Sequence, residues 1–175
     1  MGKVYFISGI DTDCGKTYIT SQLAKILSNK DVSVITQKIA QTGCNGISED
    51  ILEHRRVMNC DLFAEDLDGT TCKYIFSFAA SPHFSAALEN TIIDTNIISE
   101  ATKKLAATYD VVLVEGVGGL CVPLTQSYLL IDYFAQHKYP LILVSSSKLG
   151  SINHTILSLE MCKQRNIQVH SVIYN

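Results

Sequence analysis

Near its N-terminus the chain passes from the apolar run Val4-Tyr5-Phe6-Ile7 into Gly9-Ile10-Asp11-Thr12-Asp13-Cys14-Gly15-Lys16-Thr17, then into a helical pattern carrying Ile19, Leu23 and Ile26. A buried strand, a glycine-bounded turn and a helix in that order are the parts of a loop that wraps phosphates. Such a loop turns backbone N–H groups inward, places glycine where the chain crowds the anion, and sets a helix N-terminus behind it. A lysine then reaches the outer phosphates and a hydroxyl reaches magnesium. Gly15, Lys16 and Thr17 supply these groups. Five residues separate Gly9 from Gly15, one more than in the usual pattern, and Ile10 takes the first-glycine position.

The rest of the chain alternates short apolar runs with helical patterns, as repeated β-α units around a mostly parallel sheet do. Strands are expected at Val4–Ile7, at Val32–Ile35 ending near Lys38, at Val111–Val114 as the clearest central strand, at Leu141–Val144 and at Val169–Tyr174. Helices are expected from about Lys16 to Leu27, from Ser48 to Met58 with Ser48 as cap, from Asp94 to about Ala107, and from Ser151 to Gln164. Gln41–Gly46 reads as a polar loop, Tyr74–Phe78 as a short strand, and Ser81-Pro82 as a turn. The fold class is α/β, a mostly parallel sheet flanked by helices of the P-loop NTPase type, in one domain over residues 1–175.

Composition narrows the partners. A net charge of -3 with no basic tract gives no footprint for nucleic acid or an anionic membrane. No apolar run approaches the ~20 residues needed to span a bilayer, and the motif begins too early to leave room for a signal peptide. Cys14, Cys44, Cys60, Cys72, Cys121 and Cys162 form no C-x-x-C pair and have no histidine at zinc spacing, so they read as reduced thiols in a cytoplasmic protein.

A second constellation is Val111-Val112-Leu113-Val114-Glu115-Gly116-Val117-Gly118-Gly119. A buried strand ending in a carboxylate beside the phosphate loop is how such sheets hold magnesium or order its water. Glycines after it let the backbone approach a ligand closely. Lys38 ends the second strand at the edge where open α/β sheets bind ligands, and Asp50 is a third candidate metal ligand beside Thr17 and Glu115. His54, His137 and His170 read as surface or edge residues.

Taken together these residues resemble the dethiobiotin synthetases. The likeness rests on the Gly9–Thr17 loop with its Asp-Thr pair, on Lys38 and Thr42-Gly43, on Ser81-Pro82-His83, on Glu115–Gly119, on Leu149-Gly150-Ser151-Ile152-Asn153-His154 and on Asn175. It implies synthesis of dethiobiotin from diaminopelargonic acid, carbon dioxide (supplied as bicarbonate) and ATP with Mg²⁺, a ligase reaction in biotin biosynthesis. One amine captures carbon dioxide as a carbamate, the γ-phosphate activates it, and the second amine closes the ring. The resemblance implies nucleotide contacts from Asp13, Cys14, Gly15, Lys16, Thr17, Tyr18, Glu115 and Gly118, with Asn175 reading adenine. Lys16, Lys38 and Thr12 would act on the reacting groups, and Thr12 and Thr42 would bond the carbamate or diamine. The substrate's distant carboxylate would dock on backbone N–H groups of Gly150, Ser151, Ile152 and Asn153 from the neighbouring subunit of a homodimer.

Two departures accompany the likeness. Ile39 follows Lys38 where the family usually has proline, and the sequence stops at Asn175 where members usually continue for several dozen residues, which leads one to expect a half-built adenine pocket and a frayed terminal asparagine. Three other readings compete. A partition-type ATPase acting as a nucleotide-dependent dimer switch would carry a further lysine within Ile10–Asp13. A tetrapyrrole-directed amide ligase would need a glutamine-hydrolysing domain. A nucleotide-binding remnant would show no activity.

Overall fold

A computed structural model describes residues 1–175. Five strands form a parallel sheet: β1 (Lys3–Gly9), β2 (Val34–Lys38), β5 (Val111–Gly119), β6 (Leu141–Ser145) and β7 (Val169–Tyr174), in the order β2-β5-β1-β6-β7. Every residue of β2 and β6 is buried, as are the first six of β5. That burial explains their unbroken runs of Val, Ile and Leu, because a parallel sheet covered on both faces has no side for polar alternation. β5 is longer than its apolar core indicates and runs into its own glycines. The middle of the sheet belongs to β1, with β5 beside it.

The helices α1 (Lys16–Ser28), α2 (Glu49–Met58), α5 (Thr95–Thr108) and α7 (Ser151–Gln164) lie where the caps and periodicity put them. Ser48 Oγ accepts the N–H of Ile51 at 3.3 Å to start α2, and Asp94 accepts that of Asn96 at 2.8 Å to start α5. The chain moves one way across the sheet from β1 to β2 and the other way from β5 through β6 to β7; with the right-handed crossovers that parallel strands adopt, this sets α1 on the opposite face from α6 (Leu130–His137) and α7. Between them the core gathers Phe6, Ile35, Leu113, Phe134 and Leu143, all essentially inaccessible to water.

Several expectations give way. Gln41–Thr42 is a two-residue strand, β3, paired in parallel with β4 (Ile75–Phe76), so the polar loop starts two residues later. Pro82 opens a helix, α4 (Pro82–Leu88), with Ser81 extended before it. Proline is favoured at a first helical position because its missing N–H would be unpaired there anyway. A single turn, α3 (Ala64–Leu67), and α6 are further elements that the sequence reading left out. No helix is long and apolar enough to cross a membrane, and all six cysteines are free.

Candidate active site

The phosphate loop is fixed by β1, which is paired on both sides and delivers Gly9 to the C-terminal edge of the sheet. Asp13 and Gly15 adopt left-handed backbone, with φ of 55° and 98°, and so curl the loop back to the start of α1. Cys14 is buried beneath it, against the α-carbon of Gly9. Lys16 folds over the loop and donates to the Asp11 carbonyl at 2.9 Å. Burial holds its ammonium below the ordinary lysine pKa, a state that a polyanionic phosphate in contact would reverse.

Asn175 packs on the same loop. Its amide donates to the Cys14 carbonyl at 3.3 Å, and a methyl group on Gly15 would strike it. Its backbone N–H donates to Ser145 at 2.9 Å and its carbonyl accepts from Ser147 at 3.2 Å. The residue expected to read adenine thus lies against the phosphate loop, bonded through both side chain and backbone.

A charged cluster stands beside the loop. Lys38 and Glu115 are register partners on β2 and β5, so the last residue of one strand and the carboxylate ending the apolar run of the next meet directly. Lys38 Nζ donates to Glu115 Oε1 at 2.9 Å, to the Gly116 carbonyl at 2.9 Å, and to Asp50 on α2. Thr17 Oγ1 lies 3.0 Å from both Asp50 Oδ1 and Glu115 Oε1. Burial alone would raise the Glu115 pKa, but the Lys38 charge and hydrogen bonds from His54 and Lys38 hold it far below the usual carboxylate range. Burial would likewise lower that of Lys38, and the charges of Glu115 and Asp50 outweigh it and keep the ammonium protonated above its ordinary range.

No group of three or more His, Cys, Asp and Glu side chains is arranged to hold a metal ion by itself. The donors at this point are two carboxylates and a hydroxyl, all oxygen. That sparse set fits Mg²⁺, which keeps waters and takes its remaining oxygens from a substrate phosphate.

Of the other expected site residues, Thr12 and Gly118 come together: a β-carbon on Gly118 would lie 3.6 Å from Thr12 Oγ1. With Ile10, Gly119, Val122 and Leu157 they border or line a cavity of about 410 Å³ between the loop, the end of β5 and α7. Thr42 is half-buried in β3, next to Gln41, whose side-chain oxygen accepts from Ser48 at 2.7 Å and so ties that strand to the start of α2. Tyr18 is exposed on α1. Gly150–Asn153 does not meet Lys38 within this chain. It opens α7 at the surface, where the Ser151 N–H is already donated to Lys148 at 3.0 Å and those of Ile152 and Asn153 have no acceptor. A larger groove of about 790 Å³ lies at the opposite end of the strands, around Tyr5, Leu27 and Tyr109, away from this chemistry.

One polar residue was misread. His54 has no exposed surface, and its ring bridges Thr36 Oγ1 and Glu115 Oε2 at 2.9 Å each. The available signal was its position four residues after Asp50, which puts both side chains on one face of α2.

The likeness to known proteins runs along nearly the whole chain. The family profile described as an AAA domain matches residues 3–175. An ATP-dependent dethiobiotin synthetase of Pasteurella multocida is 52% identical over 175 residues, which span 100% of this chain and 82% of that protein. One from Haemophilus influenzae is 54% identical, with 100% and 92% covered. The solved structure of a ParA family ATPase from Chlorobium tepidum TLS superposes with a TM-score of 0.60 at 19% identity, over 100% of this chain and 74% of that one. At that identity the likeness is one of fold alone.

Proposed function

Because the chain belongs to the ATP-dependent dethiobiotin synthetases, ligases of biotin biosynthesis, we propose that residues 1–175 form one ATP-binding domain that converts diaminopelargonic acid, carbon dioxide and ATP with Mg²⁺ in the cytoplasm. The observation that carries this reading is the convergence of Lys38, Thr17, Asp50 and Glu115 beside the phosphate loop.

In this reading one substrate amine adds to carbon dioxide, losing a proton to give a carbamate. A carbamate oxygen attacks the γ-phosphorus, the bond to the β-phosphate oxygen breaks, and ADP leaves. The second amine attacks the activated carbonyl carbon and loses a proton, and phosphate departs with its bonding pair and can carry that proton away. Both displacements gather negative charge on oxygen. Lys16 and Lys38 are two cations held at that place in advance, so they stabilise the developing charge without reorganising. Mg²⁺ held by Thr17, Asp50 and Glu115 would neutralise the outer phosphates. Asp13–Tyr18, with Gly118 and Asn175, would hold the nucleotide, while Thr12 and Thr42 orient carbamate and diamine.

The diamine's carboxylate would then reach Gly150–Asn153 of a second copy. The exposed apolar side chains at the start of α7 and just before it support a homodimer: Leu149 ahead of the helix is wholly exposed, and Ile152, Ile156 and Leu157 on it are 78%, 56% and 56% exposed. Such a patch marks an interaction surface. The switch-ATPase reading has only the shared fold behind it.

The test is phosphate release from ATP and Mg²⁺ with diaminopelargonic acid and bicarbonate, each omitted in turn. Release that needs both and matches dethiobiotin formed is the expected result. Release indifferent to both would make the protein a switch ATPase, and ATP binding without release would make it a remnant.

A further inference from the structure

Resting on the assignment of Glu115 to the metal and Lys38 site, we infer that His54 is a positioning residue that fixes which Glu115 oxygen faces the reacting groups. The geometry is complete on both sides of its ring. Nε2 lies 2.9 Å from Glu115 Oε2, the oxygen turned away from Lys38 and Thr17, and Nδ1 lies 2.9 Å from Thr36 Oγ1. A fully buried imidazole is tolerated only when both nitrogens are paired.

The neighbours assign the proton. Glu115 is an ionised carboxylate and can only accept, so His54 Nε2 carries a hydrogen, and the Thr36 hydroxyl, which accepts from Arg55 Nη1 at 2.9 Å, has its own hydrogen left for His54 Nδ1. Nδ1 then accepts, and Nε2–H donates to Glu115. Arg55 is itself immovable: its guanidinium makes two bonds to Asp66, at 2.8 and 2.9 Å, and lies 4.6 Å from the centre of the Phe63 ring. A line of donors thus runs from Arg55 through Thr36 and His54 to Glu115, ending on the carboxylate between Lys38 and Thr17.

Glu115 needs that anchor. The terminal carboxylate torsion of glutamate is broad and twofold, and nothing else bonds Oε2. Without His54 that oxygen would be buried and bare, at the cost of an unpaired charged acceptor, and the carboxylate could turn to find partners. With it, the plane is set and Oε1 is offered to Lys38, Thr17 and a metal. Outer partners that orient a metal-binding carboxylate typically matter by about 10–100-fold in affinity or activity.

The variants are His54→Leu, His54→Gln, Thr36→Val and, as reference, Glu115→Gln. Mn²⁺ binding is read by electron paramagnetic resonance with a non-hydrolysable ATP analogue, beside kcat, KM for ATP at saturating Mg²⁺, and thermal denaturation. His54→Leu is expected to weaken Mn²⁺ binding and lower kcat by about 10-fold or more, with KM for ATP within about twofold. His54→Gln, whose amide N–H can still reach Oε2, recovers most of both. Thr36→Val touches no ligand and is expected to weaken Mn²⁺ binding by about threefold through the freed ring; it carries the test if His54→Leu does not fold. Wild-type Mn²⁺ binding in folded His54→Leu or in Thr36→Val overturns the inference while a damaged Glu115→Gln leaves the site reading standing. Losses in His54→Leu and His54→Gln that simply follow their melting temperatures also overturn it. A silent Glu115→Gln overturns the site reading and this inference with it.

Discussion

Replacing Lys38 by alanine would leave Asp50 and Glu115 facing each other with no cation between them. Removing one partner from a buried ion pair costs about 3–5 kcal/mol, and the Asp50 side chain is still 22% exposed, which favours the lower end. For a chain of this size that is a fall in melting temperature of roughly 10 °C. Added Mg²⁺ should restore part of it, because a divalent ion can stand between the same two carboxylates. Turnover should fall by about 100-fold or more while ATP affinity, measured by calorimetry, stays close to normal; full activity would remove Lys38 from the chemistry. Residues of this kind were legible in the sequence because strand ends and the loop mark where a parallel sheet keeps its ligands. Lys38 ends β2, and Glu115 ends the apolar run of β5. His54 was not legible, because a histidine in a polar helix looks solvated until one knows that Thr36 and Glu115 lie beneath that turn.

At the scale of elements, α7 shows how a helix start can be divided. Ser151 has already given its N–H to Lys148, so the first turn has those of Ile152 and Asn153 left for an anion. Asn153→Pro removes one of them within the first turn, where no intrahelical hydrogen bond is lost with the N–H. We expect KM for the diamine to rise by about 10-fold with KM for ATP nearly unchanged. An equal rise in both would mean a damaged fold. The longer helices were readable from their caps, Ser48 and Asp94, and from their apolar spacing. α4 was hidden because Pro82 serves turns and helix starts alike. The β3–β4 pairing is two residues on each side, too short for any period, and depends on contacts that local sequence does not encode.

For the molecule as a whole, the apolar face of α7 and the separation of Gly150–Asn153 from Lys38 lead to one expectation. Ile156→Glu should leave only monomers in sedimentation where the wild type gives the proposed dimer, and abolish dethiobiotin formation while each monomer still binds ATP; a monomeric wild type or an unchanged association state in the variant would overturn this interface. Stability should also follow acid in a definite direction. Glu115 is depressed in the fold, so its contribution is present above an unfolded value of about 4.3 and drains away as pH falls below it. The melting temperature of the wild type should therefore drop more steeply between pH 5 and 3 than that of Glu115→Gln. Lys38 is raised, so its share persists through neutral pH and is lost only in strong alkali. The five strands of the main sheet and their parallel sense could be read from the chain, but the order could not, since it depends on which crossover packs where. That order has a consequence for synthesis. β1 is made first, yet its partners are β5 and β6, so Lys3 waits for Val111 and Phe6 waits for Leu141 to leave the ribosome. The nascent chain carries the strand that holds its nucleotide-binding loop without either sheet neighbour until Val111 has emerged, so ATP can assist folding only after that point.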